Sequence, residues 1–179
     1  AREAMRENVL LRIDRPHRSR NHVALFEECS MNPKRVLVKE TVTLRLKGSD
    51  KDAILEELID LLVSAGRIKD RKSALKAVLE REKKMSTGLQ NGIAIPHGKT
   101  DTVECLVAAL GIRKEGVDFN SLDGQPAQIF LMTLSPASRT GPHIQFLADI
   151  SRTLHDASVR QQVLDATSEE QLLEILSRD

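Results

Sequence analysis

The sequence predicts an α/β fold, with a mixed central β-sheet flanked by helices on both faces. Strand-length and helix-length apolar patterns alternate along the chain. The runs 105–112 and 128–134 are apolar at nearly every position, as in strands covered on both sides rather than one. Helical segments open on capping residues at Asp50, Asp70 and Ser168. The 179 residues, 40% apolar and 30% charged, suit one ordinary domain with a sizeable core.

Residues 1–35 stand apart. Arg12, Arg15, His17, Arg18, Arg20 and His22 cluster around Pro16, and this segment reads as a basic N-terminal arm or linker. No carboxylate or thiol at ligand spacing makes His17 and His22 a metal pair. The domain is expected over 36–179. Val42, Leu44 and Leu46 alternate with Thr43 and Arg45, the period of a half-buried strand. A helix capped at Ser49-Asp50 turns Ile54, Leu55, Leu58, Ile59 and Leu62 inward and stops at Gly66. A second starts at Asp70, places Ala74, Leu75, Val78 and Leu79 inward, and ends in the cationic turn Arg81-Glu82-Lys83-Lys84 before a loop at 85–88.

Asn91-Gly92 signals a tight turn, and Ile93-Ala94-Ile95 reads as a short buried strand stopped by Pro96. His97 then stands at the strand's mouth, with Gly98 leaving its imidazole unshielded. The run from Cys105 is the next strand, Cys105 itself being expected as a small core residue. A turn-rich link over 117–125 leads to the strand at 128–134. His143 begins a helix with Ile144, Leu147, Ala148, Ser151 and Leu154 on one side. His155-Asp156 breaks it, a short helix follows, and Ser168 with Gln171 forms a capping box for the last.

Several function classes are disfavoured. Aromatic content is 2%, with no tryptophan or tyrosine, so base-stacking platforms are missing. A net charge of +1 supplies no field toward nucleic acid or anionic membrane. No run approaches a membrane span, no signal-peptide pattern opens the chain, and the two cysteines show neither ligand spacing nor a disulfide framework. A cytoplasmic setting is expected. No Gly-rich phosphate loop points to ATP, and no nucleophile elbow points to a hydrolase triad.

His97, His143 and Arg81 stand at element ends, where a rigid scaffold presents exposed side chains. Neutral imidazole is a nucleophile near pH 7, guanidinium forks onto phosphate oxygens, and a second imidazole can donate to them. The trio suggests phosphate handling with no cofactor and no metal. Two other readings remain on residues alone: a zinc site built on His97 and His143 with a carboxylate, and a structural histidine at position 97.

Ser86-Thr87-Gly88-Leu89 followed by Asn91-Gly92-Ile93-Ala94-Ile95-Pro96-His97-Gly98 resembles the active-site signature of type-2 EIIA domains. These form the fructose/mannitol and nitrogen-regulatory class of the phosphoenolpyruvate-dependent sugar phosphotransferase system. Arg81-Glu82, the segment 119–124 and the His143 helix fall in the same order, and the resemblance covers about 38–178; Gln90 stands where the family commonly has glycine. The resemblance implies a type-2 EIIA-like sandwich and a phosphotransferase. His97 would take a phosphoryl group from the histidine phosphocarrier protein HPr and pass it to a sugar-specific EIIB domain. His143 would support that group and Arg81 would neutralise its charge. The alternative it allows is a regulatory module whose phosphorylation state is read by a bound transporter or kinase.

Overall fold

The computed structural model describes residues 36–138 and 140–177; the basic segment 1–35 lies outside the described residues. A short 3-10 turn, Lys39–Thr41, leads into strand β1, Val42–Thr43. Helices α1, Lys51–Ser64, and α2, Arg71–Lys84, follow. Strands β2, Ile93–Ala94, and β3, His97–Lys99, precede the long strands β4, Val107–Val117, and β5, Ala127–Ser135. Helices α3, Thr140–His155, α4, Ala157–Asp165, and α5, Glu169–Leu176, complete the domain.

The predicted caps do the expected work. Asp50 accepts from the Ala53 amide at 2.9 Å and Asp70 from the Ser73 amide at 3.0 Å, each satisfying an orphan donor of a first turn. Ser168 accepts from Gln171 N at 3.2 Å, but the Gln171 side chain reaches back to Thr167 N rather than to the cap itself. The expected box is therefore shifted by one residue on its return arm. Gly66 ends α1 with φ +68, as the pattern requires.

The sheet is mixed, in the order β1-β4-β5-β2, with β3 also on β5. β4 and β5 form an antiparallel hairpin, while β1 lies parallel to β4 and β2 and β3 parallel to β5. Both faces are covered. Ile54, Leu58 and Leu62 of α1 and Ala74 and Val78 of α2 pack on Ala109, Phe130 and Met132. Phe146, Ile150, Leu154, Val163 and Leu172 pack on Leu110, Ile129 and Leu131 of the opposite face. Alternate residues of β4 and β5 thus feed two separate cores, which is why these strands read as unbroken apolar runs.

Four local expectations are corrected. The alternation at 42–46 yields a ladder of two residues, Val42–Thr43; beyond it only Leu46 N returns to β4, donating to Ile112 O at 2.8 Å, while Arg113 Nη1 takes the Leu46 and Lys47 carbonyls at 3.1 Å each. Pro96 does not end the strand: it interrupts it, and His97 opens β3 rather than closing β2. Proline lacks an amide donor, but its carbonyl still accepts from Thr133 N at 3.0 Å, so pairing with β5 resumes. The inward stripe of α3 is His143, Phe146, Ile150 and Leu154, and Ile144 is 59% exposed. Cys105 is half-buried ahead of β4, not a fully buried core residue. Among the described residues no helix is long and apolar enough to cross a membrane.

Candidate active site

The segment carrying His97 is held from both sides. Asn91 and Gly92 take φ of 61° and 75°, the left-handed pair of a tight turn that glycine and asparagine tolerate best. Leu89 N donates to Ile93 O at 2.8 Å, and Ile95 N to Thr87 O at 3.0 Å, so residues 87–89 line one edge of β2 while β5 lines the other. Gly98 fixes the approach of a helix. A Cβ there would meet Ala77 C, Val78 N and Leu134 Cδ2, each at 3.1 Å, so only glycine lets α2 sit this close to β3. That contact, more than any unshielding of the imidazole, is what Gly98 provides.

One turn further along α2, Arg81 reaches His97. Arg81 Nε donates to His97 Nε2 at 3.1 Å, and Arg81 Nη1 donates to Met85 O at 2.9 Å. The guanidinium thus satisfies a helix C-terminal carbonyl and contacts the imidazole at once. His97 Nδ1 lies 2.9 Å from Ile95 O. A carbonyl can only accept, so Nδ1 carries the proton and Nε2 presents its lone pair toward Arg81. Burial is the main force lowering the His97 pKa; the Ile95 carbonyl opposes it, the Arg81 charge adds to it, and Glu82 opposes it weakly. The ring is therefore neutral and nucleophilic at pH 7.

His143 lies in the first turn of α3, which begins at Thr140 and includes Pro142, a residue that a first turn accommodates. It is 3% exposed, and its ring centroid is 5.6 Å from that of His97, tilted by 58°. Burial, then the charges of His97 and Lys99, push its pKa down to about 4, so it too is neutral. Its Nδ1 is buried without a hydrogen-bond partner. The three residues singled out from the sequence are brought together.

Others were missed. Glu82, 8% exposed, accepts from Thr87 N and Thr87 Oγ1 and from Lys51 Nζ, the last at 2.8 Å. The paired lysine and threonine outweigh burial and leave its pKa lowered. Its signal was its register, since Ala74, Val78 and Glu82 fall on one stripe of α2. Thr133, in register with His97 on β5, keeps a buried hydroxyl with no partner; nothing in its local sequence marks it. Among the described residues no third ligand joins the histidines to hold a metal ion.

Three large hydrophobics stand exposed on segments that adjoin the site in the chain or by a hydrogen bond. Met85, Leu122 and Ile144 are 65%, 73% and 59% exposed, the large hydrophobics left outside the cores of the described residues. Met85 carries the carbonyl that Arg81 binds, Leu122 N donates to Gly88 O, and Ile144 follows His143. Clefts of about 680 and 480 Å³ lie elsewhere and include none of the three site residues.

Comparison with known proteins bears on the family and the fold. Residues 35–179 match the family described as "Phosphoenolpyruvate-dependent sugar phosphotransferase system, EIIA 2". The fructose-specific EIIA component of Haloferax volcanii is 40% identical over 77% of this chain and 90% of its own length. The fructose-specific EIIABC component of Bacillus subtilis is 36% identical over 80% of this chain, which spans only 22% of that longer protein. The crystal structure of the nitrogen regulatory protein IIA-Ntr of Neisseria meningitidis superposes with a TM-score of 0.75 at 29% identity, covering 80% of this chain and 97% of that one. The mannitol IIA in its complex with phosphorylated IIB from Escherichia coli gives 0.68 at 28% identity, covering 79% and 96%. With an α/β sandwich of the same fold and a family match running through the whole described domain, this chain belongs to the EIIA type-2 family of the phosphoenolpyruvate-dependent sugar phosphotransferase system, a family of phosphotransfer proteins.

Proposed function

We propose that the domain 36–179 is a phosphocarrier in which His97 Nε2 accepts a phosphoryl group from phosphorylated HPr and passes it to a cysteine of a sugar-specific EIIB domain, in the cytoplasm. Residues 1–35 are its arm or linker. The observation that carries the reading is the His97 tautomer: Ile95 O holds the proton on Nδ1, leaving the Nε2 lone pair to face the Arg81 guanidinium. In the first step that lone pair attacks phosphorus, the N–P bond to the donor imidazole breaks, and its electron pair returns to the donor nitrogen. Arg81 shifts from the ring nitrogen to the phosphoryl oxygens, which exchanges one donor contact for a charge-assisted one. His143, neutral and 5.6 Å away, keeps an N–H to offer the same oxygens. Positioning and fixed charge suffice for such a transfer, and the Arg81, His143 and backbone N–H groups supply the positive field without a metal.

The exposed Met85, Leu122 and Ile144 rim fits protein donors and acceptors. The likeness to nitrogen regulatory proteins supports a second reading of the same chemistry, in which the phosphorylation state of His97 is read by a bound transporter or kinase. Incubation with phosphoenolpyruvate, enzyme I and HPr, followed by mapping of the acid-labile phosphate, tests both. His97→Ala is expected to abolish labelling with the fold intact, and His143→Ala to keep some labelling but shorten its lifetime or slow onward transfer. Acid-labile phosphate retained in the His97→Ala protein would contradict the assignment. Transfer onward to a cognate EIIB separates the carrier from the regulator.

A further inference from the structure

Glu82 occupies a position the fold would ordinarily give to an apolar side chain. It continues the inward stripe of α2 after Ala74 and Val78, yet it is a carboxylate only 8% exposed. Burying such a charge is costly unless it is paired and hydrogen-bonded, and a packed apolar residue is often the more stable choice. Stability alone therefore does not account for it.

Every partner of this carboxylate leads to the site. Thr87 gives it both its amide, at 3.1 Å, and its hydroxyl, at 2.5 Å. The Thr87 carbonyl in turn accepts from Ile95 N at 3.0 Å, two residues before His97. Lys51 Nζ, 2.8 Å from Glu82, is also 3.4 Å from Ser86 Oγ and 4.7 Å from the Phe119 ring centroid. Ser86 Oγ donates to Phe119 O at 2.6 Å, which joins loop 85–88 to the loop before β5. Between Glu82 and Thr87 lies Met85, whose carbonyl holds the Arg81 guanidinium. Arg81 and Glu82 are adjacent on α2 but project differently, one to the imidazole and one to the loop that braces its neighbour.

We propose that Glu82 is a positioning residue of the transfer site: by tying Thr87 and Lys51 to the last turn of α2, it holds loop 85–88, and with it Arg81, in register with His97. This inference rests on the reading of His97 as the phosphoryl acceptor. Its consequence is that the Glu82–Lys51 pair can be separated from stability. Removing Lys51 leaves the Glu82 carboxylate buried without its cation, whereas removing both leaves no buried charge and only the Thr87 donors unpaired.

The test compares the full chain with Glu82→Gln, with the double variant Lys51→Met/Glu82→Met, and with Thr87→Val, which deletes a single donor to Glu82. Labelling by phosphorylated HPr and thermal unfolding are read together. Glu82→Gln should melt lower and label about ten- to a hundred-fold more slowly at saturating donor, the scale of a misplaced catalytic group. The double variant should melt above Glu82→Gln yet short of the wild type, because the Thr87 amide and hydroxyl lose their acceptor, while its labelling stays at least about ten-fold slow; Thr87→Val should label at a rate between wild type and Glu82→Gln. Wild-type labelling rates in the double variant overturn the proposal, because the pair would then serve folding alone. The ¹⁵N shift of His97 Nε2 reports the Arg81 hydrogen bond without any donor protein. It should move in all three variants, and an unchanged shift overturns the proposal. Should the wild-type chain take no label on His97, the carrier reading fails instead, and the nitrogen shift still decides what Glu82 does.

Discussion

At the scale of single residues, the site is governed by what each polar atom is allowed to meet. His143 shows this most plainly. Unfolded, an imidazole titrates near 6.5; in the fold, burial and the neighbouring positive charges bring it to about 4. Between those values the unfolded chain binds more protons than the folded one, so stability falls as pH drops from 6.5 toward 4 and levels off below. The shift corresponds to about 3 kcal/mol in full. His97 moves in the same direction and adds to the slope. Glu82, whose pKa is lowered from 4.5, contributes stability that is lost only at still lower pH, so the upper part of the window belongs to the histidines. Urea unfolding of the wild type and of His143→Asn across pH 7.5 to 4.5 checks this. The variant should lose most of the decline, and parallel curves would refute the assigned cause.

At the scale of elements, α2 and β3 determine whether Arg81 meets His97. Their separation is set by Gly98, whose absent Cβ leaves room for the helix backbone at Ala77 and Val78. Gly98→Ala should cost about 1–3 kcal/mol in unfolding free energy, as overpacking does. It should also slow labelling of His97, since moving the helix outward lengthens the 3.1 Å contact of Arg81. A glycine needed merely to bare the imidazole would leave stability untouched, so chemical denaturation separates the two accounts. A misplacement in α3 also belongs to this scale. Choosing Ile144 and Leu147 as the inward stripe turned that helix by roughly one residue; the true stripe contains His143 and Phe146, which puts the histidine on the sheet and Ile144 outside.

At the scale of the molecule, a sheet covered on both faces concentrates the reactive groups at one edge, where β3, the end of α2 and the start of α3 converge. Met85 follows the end of α2, Ile144 follows His143 in α3 and Leu122 N bonds the loop 85–88, and all three are exposed. Replacing the three with serine should raise the half-saturating concentration of phosphorylated HPr by about ten-fold or more, equivalent to about 1.4 kcal/mol of lost docking energy. The melting temperature should hardly change, because exposed side chains contribute little to the core. A triple variant labelled with wild-type concentration dependence would remove the rim from the docking surface.

From its own residues the sequence determined the fold class, the helix caps at Asp50, Asp70 and Ser168, the turn at Asn91-Gly92, and the candidate trio of Arg81, His97 and His143. These are local: a period, a cap or a turn is written within a few neighbouring residues. Tertiary structure alone decided that Pro96 interrupts the strand, that Gly98 seats a helix, and that Glu82, Lys51 and Thr87 form one hydrogen-bonded unit. Each depends on atoms brought close from distant parts of the chain. Lys51 and Glu82 are 31 residues apart in sequence and 2.8 Å apart in space, and no pattern along the chain encodes that distance.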